Sequence, residues 1–391
     1  MIPLKELPMP IADSTSVLRV DLLCTGLDRI RRGYESFARE CFDAYRDDPQ
    51  LDFRLFKGSG APGLREMALF CFTRESVMAR FLALGLRRSP YHVEQWTFCR
   101  SYLRHCRNAG LPDVVFTSDA NLANFLSRRR RRTGAGYRIL FSNGGPVSPP
   151  FPEYDHVQQV AEPYLKEALE AGEPAGKHSL VPYGIRIPEA LLRQDFPDRS
   201  QARTRLGLPV GGRIVLSVGN VSAIHKRMDH VVREVAAMPA GRRPYLVLLG
   251  HQDASTEEIR RLCEEKLGLS GFRIASCPHS EVGDYYAAAD VFVLASLKEG
   301  FGRVFLEALM YGLPCVAHEH PVMRYVLGGA GCFVDMTMRG ALAGLLTDQL
   351  SAPEERGKRC ERNAYVAERF SWPSLRSLYR TMFLATAGPV C

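Results

Sequence analysis

The sequence has 391 residues, 46% hydrophobic and 24% charged, values close to those of soluble globular proteins and long enough for two ordinary domains that fold without staples. Its formal net charge is +8, with basic residues spread over both halves, a distribution that argues against nucleic acid as a partner. The 11 cysteines form no CxxC pair and no Cys/His cluster with zinc spacing, which excludes a zinc module and reads as reduced thiols in a reducing compartment.

Taken in chain order, the opening MIPLKELPMPIADST has no uninterrupted apolar core of the kind an export signal carries. No later run is long enough to span a bilayer, so the expected location is the cytoplasm. SVLRVDLL, LDFRLF, DVVFTS and YRILFS read as strands of the first half, with the amphipathic YESFARECFDAYR between the first two. The dense basic run Arg128 to Arg132 follows the apolar LANFL. It reads either as a solvated helix end or as a contact for lipid headgroups or an acidic acceptor at the inner face of a membrane.

The pattern resets at Pro182 to Gln201, rich in proline and charge. Beyond it RIVLSVG, YLVLLG, FRIASC, DVFVLAS and PCVAHE are strand-like, and DHVVREVAAM, TEEIRRLCEEKLG and RVFLEALMYG are helix-like. Continuous apolar strands alternating with helices imply parallel sheets covered on both faces. The expected architecture is α/β, with two Rossmann-like, doubly wound domains facing across a cleft. Residues 1–183 would form the first domain and 184–370 the second, with 371–391 a C-terminal helix packing back toward the first. Ligands of such sheets bind beyond the carboxyl ends of the strands.

The stretch richest in chemistry is DVFVLASLKEGFGRVFLEALMYGLP, Asp290 to Pro314. A buried strand runs into the turn Glu299-Gly300-Phe301-Gly302, and a helix starts near Arg303. Glycines there let backbone approach a ligand, and the helix start offers unpaired N–H groups to an anion. Glu299 stands at the mouth of the turn and Glu307 about one turn into the helix. Two ionised carboxylates are acceptors suited to the hydroxyls of a sugar and a ribose. His318 and His320 in AHEHP have no third ligand nearby and read as a loop at the cleft rim, so no metal is expected. The lone G-x-G is too short for a dinucleotide fingerprint, and there is no P-loop.

Seven residues separate Glu299 from Glu307 within EGFGRVFLEA. This spacing resembles the E-x7-E signature of retaining GT-B glycosyltransferases, most closely glycosyltransferase family 4. LSVGNVSAIHKRMDHVV (216–232), EVGDYYAAAD (281–290), KHSLVPYGI (177–185) and FSW (370–372) resemble further landmarks of that family in order and spacing.

The resemblance implies a GT-B fold and transfer of a sugar from a nucleotide-diphosphate sugar held by the C-terminal domain, without a metal. A UDP-sugar is expected on frequency alone. It implies that Glu299 contacts the sugar hydroxyls beside the amides of Gly300, Phe301 and Gly302. Glu307 would hold the ribose, and Lys226 would pair with the diphosphate, with Asn220 and Arg227 close by. Gly33, in GLDRIRRGYESF, would belong to a loop approaching the diphosphate from the N-terminal domain.

This chain departs from the family at three places. Asn220 follows Gly219 where an arginine is frequent, Ser118 and Asp119 stand where a histidine is often found, and Asn143 replaces a second histidine. Ser118, Asp119 and Asn143 are thus read as contacts to sugar or acceptor, with the donor phosphate taking the acceptor's proton as in retaining enzymes. The acceptor itself (glycan, lipid or metabolite) is unassigned. The departures leave a non-catalytic sugar-nucleotide-binding protein as an alternative. A GT-B epimerase or phosphorylase is another, although neither extra catalytic carboxylates nor a pyridoxal-phosphate lysine is evident.

Overall fold

The computed structural model describes residues 17–30, 32–145 and 147–388. The opening segment read as lacking an export signal, Arg31 of the first loop, Pro146 and the last three residues lie outside the described residues.

Thirteen strands form two sheets among the described residues, and every pairing within them is parallel. The first sheet holds β1 (Leu18–Cys24), β2 (Leu51–Lys57), β3 (Glu66–Ala68), β4 (Val114–Thr117), β5 (Arg138–Asn143), β6 (His156–Gln159) and β7 (His178–Leu180), in the order 3-2-1-4-5-6-7. The second holds β8 (Ile214–Val218), β9 (Tyr245–Leu249), β10 (Phe272–Ala275), β11 (Val291–Leu294), β12 (Cys315–His318) and β13 (Gly331–Val334), in the order 10-9-8-11-12-13. Each order reverses beside the first strand, between β1 and β4 and between β8 and β11, and ligands of open parallel sheets bind at such switch points.

The central strands are apolar because helices cover both faces. β8 and β11 are buried throughout. β6 is also buried but reads His-Val-Gln-Gln, and its polar side chains bond within the protein, although Gln158 Oε1 has no partner among the described residues. Gln158 donates to the carbonyl of Val181 (2.8 Å) and the hydroxyl of Tyr379 (3.0 Å), and His156 bonds Ser179 (2.7 Å).

The chain crosses from one sheet to the other through Val181 to Ile187 and returns at its end. Ile185 N–H donates to the carbonyl of Phe370 (2.8 Å). Helix Trp372–Ala387 then packs on β4, β5 and β6. Phe37, Tyr183, Trp372 and Tyr379 form an aromatic column at this crossing, with Phe37 stacked on Tyr183 at 4.1 Å and on Trp372 at 5.8 Å. Gly184 lies against the indole, where a Cβ would come within 2.6 Å of Trp372.

Candidate active site at the C-terminal switch point

β8 and β11 are adjacent, so the loops that follow them meet. After β8 the backbone passes Gly219 and Asn220 and reaches Lys226 just before helix Met228–Ala237. The Lys226 stem lies across Gly219; a Cβ there would come within 3.1–3.3 Å of Lys226 Cγ, Cε and Cδ. After β11 the chain turns through Glu299-Gly300-Phe301-Gly302 into helix Arg303–Met310. Gly302 has φ +76°, a left-handed backbone that favours glycine. Phe301 is 3% exposed and sits edge-on to Tyr183 (5.4 Å) and Phe370 (5.9 Å), so its side chain anchors the turn from beneath.

The result is a direct pair, with Lys226 Nζ 2.5 Å from Glu299 Oε1. Beside it, the first turn of helix Arg303–Met310 has no side-chain cap, so its orphan N–H groups and positive dipole end suit an anion. Glu307 lies one turn into that helix, half-buried, where Tyr286 donates to its Oε2 at 2.9 Å. From the N-terminal domain Tyr164, on helix Glu162–Glu170, points its hydroxyl at the carbonyls of Glu299 (3.1 Å) and Gly300 (2.8 Å). Its phenol is raised above the ordinary range by burial and the Glu299 carboxylate, so it serves as a donor.

Arg303 opens the same helix, a position where the dipole disfavours a cation. Its guanidinium is buried and turned to the other domain, 2.6 Å from Glu40 Oε1 and bonded to the carbonyl of Gly184. The other oxygen of Glu40 accepts from Arg186 N–H (2.7 Å) and Trp372 Nε1 (3.3 Å). Gly33, at the start of helix Gly33–Tyr45, faces Arg303; a Cβ there would sit 4.0 Å from its Cδ.

The remaining sequence-derived positions are committed elsewhere. Arg227 turns its guanidinium to the carbonyls of Met336 (3.1 Å) and Ala295 (3.5 Å), bracing the two loops from behind. Asn220 donates to Asp253 (3.3 Å). Ser118 donates to the carbonyl of Ser142 (2.8 Å). Asp119 caps helix Ala120–Thr133 by accepting from Leu122 N–H (3.0 Å) and also accepts from Tyr91; burial raises its pKa. Asn143 is buried and spends both ends of its amide on Val147 and Gln159. His318 and His320 each accept a backbone N–H, from Met336 and Val322 respectively (both 3.2 Å).

No motif or spacing in the sequence singles out Tyr164, Tyr286, Glu40 or the role of Arg303. Only Arg303 left a signal, as a cation placed against its own helix dipole. The tyrosines act through contacts distant in sequence, and no spacing announces them.

Known proteins resemble this chain most clearly in its C-terminal part. Residues 198–367 match the model described as "Glycosyl transferases group 1". Over that segment the chain is similar to the glycosyl transferases group 1 family. The chain is 36% identical over 127 residues to the D-inositol 3-phosphate glycosyltransferases of Mycobacterium bovis and Mycobacterium tuberculosis, a stretch covering 31% of this chain and 25% of each relative. The chain thus spans a quarter of the length of the curated relatives it matches.

Solved structures extend the likeness to both sheets. Sucrose-phosphate synthase from Thermosynechococcus elongatus superposes with a TM-score of 0.71 at 20% identity, covering 94% of this chain and 99% of that one. Anabaena HepE in complex with UDP-glucose gives 0.69 at 13% identity, covering 93% and 99%. The two parallel sheets together therefore have the GT-B fold.

Proposed function

We propose that this protein is a retaining, metal-independent glycosyltransferase of family 4 type that takes its sugar from a nucleotide-diphosphate donor, a UDP-sugar, and passes it to an acceptor lodged against the N-terminal domain. The observation that carries this reading is the Lys226–Glu299 pair, 2.5 Å apart, beside the uncapped start of helix Arg303–Met310. Departure of a nucleoside diphosphate builds negative charge where that cation and those N–H groups converge, and fixed donors stabilise such charge as it develops. Glu299 then accepts from the sugar hydroxyls, and Glu307, oriented by Tyr286, accepts from the ribose. The UDP-glucose held by the Anabaena protein of the same fold supports a UDP-sugar here.

The reaction breaks the bond between the anomeric carbon and the phosphate oxygen. It forms one from the same face of the sugar to an acceptor oxygen, whose proton passes to the leaving phosphate. Ser118, Asp119 and Asn143 are each committed to protein partners, which supports assigning that proton to the phosphate rather than to one of them.

A thermal-shift screen against UDP, GDP, ADP and their sugar conjugates, with and without EDTA, tests the reading, because a ligand of the native state raises the melting temperature by mass action. The expected result is a shift with the uridine compounds that EDTA leaves unchanged. A shift that EDTA removes would overturn metal independence, and no shift with any nucleotide would overturn the donor site.

A further inference from the structure

Helix Val77–Leu86 is built inside out. Its small residues Ala79 and Ala83 are buried and pack near Val93. Val77, Phe81 and Leu84, on one stripe at i, i+4 and i+7, are 79%, 71% and 80% exposed. Met78 and Leu86 are also exposed. A helix contributing to a core turns its large apolar residues inward, yet among the described residues nothing covers this stripe. At 10 residues the helix is too short to span a bilayer, so a membrane would meet it lying along the surface.

The surroundings say what kind of surface. Arg80, Arg87 and Arg88 flank the stripe. Helices Pro90–Ala109 and Ala120–Thr133 then enclose a groove of about 440 Å³ lined by Arg100, Arg104, Arg107, Arg128, Arg129 and Arg132. All six are exposed, and among the described residues none forms an ion pair, although their neighbours Arg130 and Arg131 do. From Ser76 to Ala109 the only acid is Glu94, which is buried and paired with Arg29 and Arg74. Helix Ala120–Thr133 has no acid.

The stripe and the groove are joined at His92. Its ring packs on Phe125 at 4.8 Å, and after burial the charges of Arg88 and Arg128 depress its pKa. The near end of this surface borders the N-terminal switch point, where Tyr91 bonds Asp119 and Thr25 bonds Gln95 (2.8 Å).

We infer that helix Val77–Leu86 and the adjoining arginine groove dock the protein on an anionic lipid bilayer. The stripe enters the boundary between headgroups and acyl chains, and the arginines engage lipid phosphates. A second copy of this chain fits less well, since pairing two such faces would bring two sets of unpaired arginines together. The inference does not depend on which sugar or acceptor the protein handles.

Co-sedimentation with phosphatidylcholine vesicles, with and without phosphatidylglycerol, tests it on the full chain. The expected result is roughly tenfold more protein on the anionic vesicles, falling at about 0.5 M salt as charge is screened. Phe81→Asp combined with Leu84→Asp should remove binding at either salt. Replacing Arg100, Arg104, Arg128 and Arg129 together by Gln should abolish the preference for anionic lipid. These side chains are exposed, so melting temperatures should stay near that of the unaltered protein. The inference is overturned if the unaltered protein stays in the supernatant, or if the variants bind as it does. It is equally overturned if Phe81→Asp disperses a dimer in a protein that ignores vesicles.

Discussion

The two sheets share a strand order up to their sixth strand, yet the helix that follows the fourth strand begins differently in each. In the C-terminal domain that helix starts at Gly302 with no side-chain cap, leaving its first N–H groups for a ligand, with Lys226 and Glu299 alongside. In the N-terminal domain the same position is held by Asp119, whose carboxylate caps helix Ala120–Thr133. The neighbouring loops are similarly self-occupied. Asn143 holds its own loop, and Lys57, Asp28, Arg39 and Glu66 form a closed charge network after β1 and β2. One fold thus gives two kinds of switch point. The first is open to an anion, and the second is filled by the protein's own carboxylate.

This contrast can be broken at the join and within the closed network. The largest effect is expected at the join, because a buried Arg303 and a half-buried Glu40 pair across the two domains. Arg303→Ala leaves a half-buried Glu40 without its cation and should cost up to about 3 kcal/mol of stability, read as a clear fall in melting temperature.

A smaller effect is expected in the N-terminal network. The Arg39 guanidinium, with Lys57 beside it, holds the Glu66 carboxyl at about 2. A carboxylate depressed in the folded state contributes stability that is fully present above its unfolded pKa, near 4.3, and is lost as pH falls toward the folded value. Glu66→Gln should therefore lower the melting temperature by a few degrees at pH 7, and the difference from the unaltered protein should shrink as pH falls from about 4.5 toward 2.

The sequence announced the sheets wherever strands are continuous apolar runs, as at β8, β9 and β11, because burial on both faces writes itself into composition. It did not announce β3, β6, β7 or β13. β3 and β7 are three residues long, β13 opens on glycine, and β6 is polar yet buried through partners as distant in sequence as Tyr379. Helix Val77–Leu86 was equally silent, since its apolar composition suggests a buried element and only the fold turns it outward.

At the site, the spacing of Glu299 and Glu307 and the glycines of the turn after Glu299 were legible because local backbone sets their geometry. The direction of Arg227 was not, since it depends on the carbonyls of Ala295 and Met336. Nor were Tyr164 and Tyr286, each contributed by another element.

In the proposed site Lys226 and Glu299 divide the labour, the cation for the diphosphate and the carboxylate for the sugar. Calorimetric titration of UDP and of a UDP-sugar into the unaltered protein, Lys226→Ala and Glu299→Ala measures that division. Lys226→Ala should weaken both ligands by roughly one to two orders of magnitude, the scale of a lost charge-assisted contact. Glu299→Ala should weaken the UDP-sugar while leaving UDP within about threefold of the unaltered protein, a gap of under 1 kcal/mol. If Lys226→Ala binds UDP as well as the unaltered protein does, or if Glu299→Ala weakens UDP as much as its sugar conjugate, the assignment of these two residues is contradicted.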